Sequence, residues 1–307
     1  MTILLVTPGR DSSGLAAAIA RQVPSITVRV WPETGPLAEV RFAVLWNQPP
    51  GLLRQLTGLQ AVASLGAGVE HVLADPDLPP DLPVGRLAGK RLAADMAGYL
   101  LAQVLAHWRR LPTFRQQQAR HEWTPWAPEH PPGIGLLGTG NMAATAARAF
   151  QALDVPVRAF NRSGRPLDGV RIESGRSGLF ALAQWCDYLV CLLPLTKQTR
   201  GLLDAELFAR MRPGSVVINV GRGGHLVESD LLEALDRGRP GAAILDVFDQ
   251  EPLPASHPFW DHPNIHLTPH CASVTGDEEA AGLIVQSYRR VLSGQAPLDA
   301  VDRSLGY

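Results

Sequence analysis

The sequence predicts an α/β fold built from parallel, doubly wound sheets. Short apolar runs alternate with helical stretches along the chain. One run, at 134–137, meets a glycine turn and then an alanine-rich helix, which is the order of a phosphate-binding βα unit. At 307 residues the chain is about twice the usual domain size of ~150 residues, so it has room for two such domains.

Composition and charge exclude several classes of protein. The net charge of −1 offers no bulk attraction to nucleic acid or to a membrane surface, and the apolar runs are too short to span a membrane. The three cysteines are odd in number and form no paired motif, which favours a reducing compartment. Without a signal-peptide pattern at its start, the chain is expected to be cytoplasmic, with neither nucleic acid nor membrane as a partner.

The first part of the chain alternates apolar strands with helices and turn residues. The Pro- and Asp-rich segment 75–83 is predicted as a loop, and a long amphipathic helix is predicted at 96–109. The strands are predicted at 3–6, 28–30, 43–45 and 61–64, the helices at 14–21 and 51–56, and a second glycine turn at 65–69.

The alternation resumes after Gly133. Ser229 is a candidate N-cap for a helix that Gly238 ends. The strands are predicted at 134–137, 157–160, 188–192, 215–220, 243–246 and 265–267, and the helices at 204–211, 229–237 and 280–292.

The glycine turn after residue 137 is the predicted pyrophosphate site. Gly138 permits a sharp exit from the strand, Gly140 lets the backbone approach a pyrophosphate, and Ala143 is small enough for the helix to pack on the sheet. The helix N-terminus presents unpaired N–H groups to the phosphates. The alternative is a glycine turn without a ligand. The candidate cofactor-binding residues are Gly138, Thr139, Gly140, Asn141 and Met142.

The segment after the next strand indicates NADPH. Sheets that bind NAD usually carry an acidic residue about 20 positions after the glycines, but Asn161 stands there. Asn161, Arg162, Ser163 and Arg165 instead offer donors suited to a 2′-phosphate. NADH is possible but less favoured, and the alternative for this segment is a solvated basic turn.

Three polar segments downstream each follow an apolar strand, and with the glycine turn they belong to a series of motifs. From about residue 44 onward the chain contains, in order, GLLGTGNMA, LLPLT, INVGRGGHLVESDLL, LDVFDQEPLP, HPNIHLTPH and VDRSLGY. This series resembles the D-isomer-specific 2-hydroxyacid dehydrogenase family, in particular its glyoxylate/hydroxypyruvate reductases. The resemblance implies two Rossmann-like domains with an active-site cleft between them: residues 1–95 plus 285–307 for the substrate, and 96–284 for NADP.

The resemblance also implies a reaction, which is the NADPH-dependent reduction of a small 2-oxoacid to the D-2-hydroxyacid by hydride transfer. The family's catalytic arginine, glutamate and histidine match Arg222, Glu251 and His270. Arg222 would hold the substrate carboxylate and polarise the carbonyl. His270 would donate a proton to the forming alkoxide, and Glu251 would orient the protonated imidazole.

Further contacts follow from the same resemblance. Asp246 matches the family's contact to the nicotinamide carboxamide, and the backbone N–H groups of 66–68 would meet the substrate carboxylate. The long helix would also serve a homodimer. The stretch Leu87–Arg91 departs from the acidic, glycine-containing stretch of these reductases, which leaves the choice of substrate open. The additional candidates are Leu193, Pro194, Val220 and Asp246 for the cofactor, and Trp46, Gly66, Ala67, Gly68 and Trp108 for the substrate.

Other interpretations stay open or are disfavoured. The chain could act on another 2-oxoacid, or bind a dinucleotide as a sensor without catalysis. GTGNMA also resembles imine and pyrroline-carboxylate reductases, which lack the catalytic trio. No metal site is expected, because Pro263 and Pro269 break the helix that the histidine spacing would need. Cys271 is expected as a small buried residue. The crowded histidines are His257, His262, His266 and His270.

Overall fold

The computed structural model describes residues 2–307, which form two compact units. One unit contains the residues up to Arg91 together with Thr275–Tyr307, and the other contains Leu92–Val274. Each unit is built on one parallel β-sheet with helices on both faces. This confirms the predicted α/β class with two doubly wound parallel sheets.

Strands and helices alternate along the described residues. The strands are β1 (Thr2–Val6), β2 (Thr27–Val30), β3 (Val40–Leu45), β4 (Ala61–Ser64), β5 (Val84–Arg86), β6 (Ile134–Leu137), β7 (Val157–Phe160), β8 (Arg171–Glu173), β9 (Tyr188–Cys191), β10 (Val216–Asn219), β11 (Ala242–Leu245) and β12 (Ile265–Leu267). The helices are α1 (Ser13–Gln22), α2 (Leu52–Gln55), α3 (Glu70–Leu73), α4 (Lys90–Trp108), α5 (Leu111–Ala119), α6 (Asn141–Gln151), α7 (Gly175–Trp185), α8 (Ala205–Arg210), α9 (Glu228–Asp236) and α10 (Asp277–Leu292).

The sheet of the first unit has the strand order β2-β1-β3-β4-β5, and all its neighbours are parallel. Alternate residues of its central strands point to opposite faces, where α1 and α10 cover one side and α2 and α3 the other. Because both faces are buried, these strands are apolar throughout, which is why they are legible in the sequence.

The sheet of the second unit has the order β12-β11-β10-β9-β6-β7-β8. The chain runs from β6 outward to β7 and β8 and then returns to place β9 on the opposite side of β6. The carboxyl ends of β6 and β9 therefore flank a point where the winding reverses. Open α/β sheets hold their ligands at such points.

Several short or polar elements could not be predicted from the sequence pattern. The edge strands β5 and β8 are three residues each and read VGR and RIE, so they carry no apolar run. The helices α5 and α7 were also not predicted, since α5 buries none of its side chains and α7 starts at a glycine. No described helix is both long and apolar enough to cross a membrane.

Two predicted helix starts are wrong. The long helix α4 starts at Lys90, six positions earlier than predicted, and the Glu279 carboxylate accepts the N–H of Arg91 (3.1 Å) in its first turn. The stretch that departs from the reductase pattern thus starts a helix. The cap of α9 is Val227, and Ser229 lies inside its first turn.

Candidate active site and cofactor site

The turn after β6 depends on a glycine. Gly138 has φ of +114°, a backbone conformation that side-chain-bearing residues rarely adopt. Its N–H donates to the Phe160 carbonyl (2.8 Å), and a Cβ at this position would lie 3.2 Å from the Leu192 carbonyl oxygen. The turn after β6 therefore lies directly against the turn after β9.

The start of α6 fits a dinucleotide pyrophosphate. Gly140 is the N-cap residue, and no side chain caps the N–H groups of the first turn. A Cβ built at Gly140 would meet no heavy atom within 4 Å, so the space above it is open. Ala143 is 1% exposed and packs on the sheet. The backbone N–H groups after Gly140 can accordingly meet an anion.

Asn161 organises the turn after β7. Its Nδ2 donates to Thr139 Oγ1 (3.0 Å) and to the Arg165 carbonyl (2.7 Å), while its Oδ1 accepts the Arg165 N–H (3.0 Å). Asn161 is 8% exposed, and its amide is bonded inside the protein. The Ser163 hydroxyl also donates to Asn161 Oδ1 (3.4 Å), so the exposed side chains of Arg162 and Arg165 are the better candidates for a ligand contact. Asn161 links the two predicted halves of the cofactor site.

A polar residue that the sequence reasoning missed lies beside this turn. Arg162 donates a hydrogen bond to the Gln198 side chain, which belongs to the segment after β9. The two residues are 36 positions apart, and no motif in the sequence connects them. Gln198 is therefore a further polar side chain at the candidate cofactor site, next to Arg162.

A buried histidine joins the turns after β9 and β10. His225 is fully buried; its Nε2 donates to the Pro194 carbonyl (3.3 Å), and its Nδ1 accepts the backbone N–H of Arg222 (3.1 Å). One neutral tautomer satisfies both contacts. Sequence reasoning also missed His225, although it stands within the INVGRGGHLVESDLL motif. The neighbouring candidates Leu193 and Val220 follow the ends of β9 and β10, and Val220 is buried.

The turn that carries Arg222 packs against the turn after β11. A Cβ at Gly223 would lie 1.8 Å from the Phe248 carbonyl carbon, so only glycine fits. The Phe248 N–H in turn donates to Glu251 Oε1 (3.0 Å). This close backbone packing brings Arg222 and Glu251 into one site, although they are separated along the chain by helix α9 and strand β11.

Glu251 and His270 form a hydrogen-bonded pair. His270 Nδ1 lies 2.6 Å from Glu251 Oε2, and the side chains are 34% and 35% exposed. Burial by itself would raise the pKa of Glu251, but the hydrogen bonds from His270 and the Phe248 N–H, with the positive charges of His270 and Arg222, lower it below its ordinary value. Glu251 is thus a carboxylate that accepts from Nδ1, and Nε2 is the nitrogen left for a substrate.

Asp246 holds the backbone that carries His270. The Asp246 carbonyl accepts the His270 N–H (2.8 Å), and its carboxylate accepts the N–H groups of Cys271 and Ala272 (both 2.9 Å). Asp246 is 2% exposed. Its contact to a nicotinamide carboxamide stays a prediction, but its hydrogen bonds to the backbone of 270–272 are present in the structure.

Cys271 is exposed, so the expectation of a buried residue is wrong. It lies in the turn after β12, outside the apolar strand, and its side chain is left in solvent. Partial desolvation and the neighbouring Asp246 carboxylate raise the pKa of the Cys271 thiol, which disfavours the reactive thiolate.

The first unit brings together the substrate-side candidates Trp46 and Gly66–Gly68. A Cβ at Gly66 would lie 3.0 Å from the Trp46 ring, so the glycine allows the indole to lie against this turn. Ser64 pins the turn, because its hydroxyl donates to the Gly68 carbonyl (2.6 Å). A residue that the sequence reasoning missed, His71, packs against the same indole, with ring centroids 5.2 Å apart. Ala67 sits between the two glycines and is partly exposed.

Trp108 lies elsewhere, at the end of α4 in the second unit. It lines a groove of about 710 Å³ together with His107 and Trp126. The described residues around this groove do not include Arg222, Glu251 or His270. The groove therefore does not bring Trp108 together with the catalytic trio, and its substrate contact stays a prediction.

The crowded histidines have separate partners. His257 pairs with Glu228 (3.1 Å), His266 faces the ring of His107 (6.4 Å between centroids), and His270 pairs with Glu251. Among residues 2–307, no group of three or more His, Cys, Asp or Glu side chains is arranged to hold a metal ion.

Comparison with known proteins adds independent findings. The sequence profile of the D-isomer specific 2-hydroxyacid dehydrogenase NAD binding domain matches residues 101–272. Glyoxylate/hydroxypyruvate reductase A of Serratia proteamaculans is 36% identical over 100% of both chains. Two similar solved structures each share 34% identity and cover 100% of this chain and 99% of their own. They are a D-isomer specific 2-hydroxyacid dehydrogenase from Xanthobacter autotrophicus Py2 in complex with NADPH and MES (TM-score 0.93), and the NADPH-dependent glyoxylate/hydroxypyruvate reductase of Sinorhizobium meliloti with NADP and sulfate (TM-score 0.92).

Proposed function

Because the chain belongs to the D-isomer-specific 2-hydroxyacid dehydrogenase family, we propose that it reduces a small 2-oxoacid of the glyoxylate or hydroxypyruvate type to the D-2-hydroxyacid with NADPH. The observation that carries the proposal is the 2.6 Å bond between His270 and Glu251 in a site that Arg222 shares. An acid, its orienting carboxylate and a guanidinium are the groups that reduction of a 2-oxoacid needs. The full-length reductase relative supports the same reaction.

Each member of the trio has one role in this proposal. NADPH, when bound, would supply a hydride for the carbonyl carbon. Arg222 binds the substrate carboxylate and polarises the carbonyl through charge-assisted hydrogen bonds. His270 donates the proton from Nε2 to the forming alkoxide, because its Nδ1 is engaged with Glu251. Glu251 accepts from Nδ1 and thereby fixes the orientation of the imidazole.

We assign cofactor binding to the unit Leu92–Val274. Support for this assignment comes from the open space at Gly140 and from the exposed Arg162 and Arg165 after β7. Two arginines there suit a 2′-phosphate, since a guanidinium matches the geometry of phosphate oxygens. The solved relatives hold NADPH or NADP.

A steady-state screen of 2-oxoacids with NADPH and with NADH tests the function. We expect turnover of glyoxylate or hydroxypyruvate with a much lower KM for NADPH than for NADH. His270→Ala should reduce kcat by roughly 10²-fold to 10⁴-fold while NADPH affinity stays near that of the wild type. His262→Ala, which removes another loop histidine, is the matched control and should behave as the wild type. Tight NADPH binding with no turnover of any 2-oxoacid would instead identify a dinucleotide sensor.

We also propose a cytoplasmic homodimer that uses the end of the long helix α4 and the surface around α5, the helix that follows it. None of the side chains of this helix is buried, and Leu111 and Trp123 are 45% and 95% exposed. Apolar side chains of this size gain from burial against a second copy. The cysteines of the described chain are free thiols, which suits a reducing compartment. Sedimentation equilibrium tests the dimer: the wild type should sediment as a dimer, Trp123→Ser should weaken it, and a monomeric wild type at micromolar concentration contradicts it.

A further inference from the structure

We propose that Tyr99 and Thr268 are positioning residues that hold His270 in place through Asp246. This inference rests on the proposed role of His270 as the proton donor. It concerns a chain of hydrogen bonds behind the catalytic side chains, formed by residues from α4, from the end of β11 and from the end of β12.

The backbone conformation of His270 needs hydrogen bonds to hold it. Its φ is +51°, in the left-handed region that residues other than glycine seldom occupy. A residue stays in this region only when its surroundings hold it there. Here the Asp246 carbonyl binds the His270 N–H, and the Asp246 carboxylate binds the next two N–H groups, those of Cys271 and Ala272. The orientation of one carboxylate thus sets the turn from which the imidazole projects.

The hydrogen bonds behind Asp246 can run in one direction only. Both of its carboxylate oxygens accept backbone N–H groups, so the Thr268 hydroxyl is the donor in its 2.5 Å contact with Oδ1. Thr268 Oγ1 then accepts from the Tyr99 hydroxyl, 2.7 Å away. Burial raises the pKa of Tyr99 to about 12, and Tyr99 therefore keeps its proton and stays a donor throughout the working range of the protein.

The far end of this chain is a rigid element. Tyr99 lies on the 19-residue helix α4 between the buried residues Met96 and Leu100, and its ring packs on the core of the unit. The connection spans 169 positions in sequence, from Tyr99 to Thr268. His270 is consequently held twice: Glu251 fixes its imidazole, and the Tyr99–Thr268–Asp246 chain fixes its backbone. Loss of the second hold should misplace Nε2 of His270.

Variants that remove single hydroxyl groups test the inference. Thr268→Val keeps the side-chain shape, and we expect kcat to fall by about 10-fold or more, with a smaller change in the KM for NADPH. Thr268→Ser retains the hydroxyl and should restore most of the loss. Tyr99→Phe should give a smaller loss, and in the Thr268→Val background it should add nothing, because Tyr99 has already lost its acceptor. Tyr288→Phe is the matched control, since the buried Tyr288 hydroxyl has no hydrogen-bond partner among the described residues.

Two readouts separate positioning from packing. The pH profile of kcat should change in Thr268→Val and recover in Thr268→Ser, whereas a merely structural loss would lower the profile evenly. Amide hydrogen exchange at Cys271 and Ala272 should speed up in Thr268→Val and not in Tyr288→Phe. Equal activity of the valine and serine variants, or additive losses in the double variant, would overturn the inference. If the wild type reduces no 2-oxoacid, the proposed function fails, and amide exchange alone decides whether the chain positions the turn.

Discussion

Replacement of Glu251 by glutamine tests how the pair with His270 works. In the wild type, Oε2 accepts from His270 Nδ1 and Oε1 accepts the Phe248 N–H, so both carboxylate oxygens act as acceptors. Glutamine has one acceptor and one donor. If its oxygen serves Phe248, its amide group must donate to Nδ1, which forces the neutral imidazole. If its oxygen serves Nδ1, the amide group opposes the Phe248 N–H.

The size of the effect follows from the contact that is lost. A hydrogen bond to a charged group contributes about 1.5–3 kcal/mol, which corresponds to roughly 10-fold to 150-fold in rate. Because the two side chains are 34% and 35% exposed, solvent screens their attraction and the loss should lie toward the lower end. We therefore expect Glu251→Gln to lower kcat/KM by about 10-fold to 50-fold. The fold should remain intact, since the glutamine occupies the same space.

The assay is NADPH oxidation by a 2-oxoacid across the pH range, with NADPH affinity measured separately. Since Glu251 in the folded protein has a lowered pKa, its carboxylate persists at neutral pH and below, and the wild-type pair should lose it only under acid conditions beneath the ordinary value. The glutamine variant has no carboxylate to protonate, so the loss of activity that protonation of Glu251 causes at acid pH should be absent from its profile. A variant with wild-type kcat/KM and an unchanged pH profile would refute the role of Glu251.

Three further predictions follow from the same geometry. Gly223→Ala should lower the melting temperature, because its Cβ would overlap the Phe248 carbonyl, whereas Gly140→Ala should fold normally and bind NADPH more weakly by calorimetry; equal melting temperatures would contradict the packing. Arg165→Ser should weaken NADPH binding by roughly 10-fold or more and leave NADH binding unchanged, and an equal effect on both cofactors would speak against a 2′-phosphate contact. Burial lowers the pKa of His107 below its ordinary value of 6.5, so the unfolded chain binds a proton at this residue more readily than the folded protein does. The free energy of unfolding should therefore fall as the pH drops through that value. Thermal scans from about pH 8 to about pH 5.5 should show a smaller fall for His107→Gln than for the wild type.

Much of the architecture could be predicted from the sequence, for a physical reason. The central strands of both sheets are buried on both faces, so they appear as continuous apolar runs such as Ile134–Leu137. The edge strands Val84–Arg86 and Arg171–Glu173 have one open side and mixed composition, and nothing local marks them. Local pattern also placed the start of the long helix too late, because a distant carboxylate, Glu279, serves its first turn.

The candidate site divides in the same way. The sequence by itself determined which chemical groups are present and at which strand ends they stand: a glycine turn before a helix, and Arg222, Glu251 and His270 after successive segments. Only the tertiary structure decided what each side chain contacts. The Asn161 amide bonds to Thr139 and to the Arg165 carbonyl. Tyr99 bonds to Thr268, which is 169 positions away in the sequence. Such contacts depend on how strands and helices pack, and local spacing does not encode that packing.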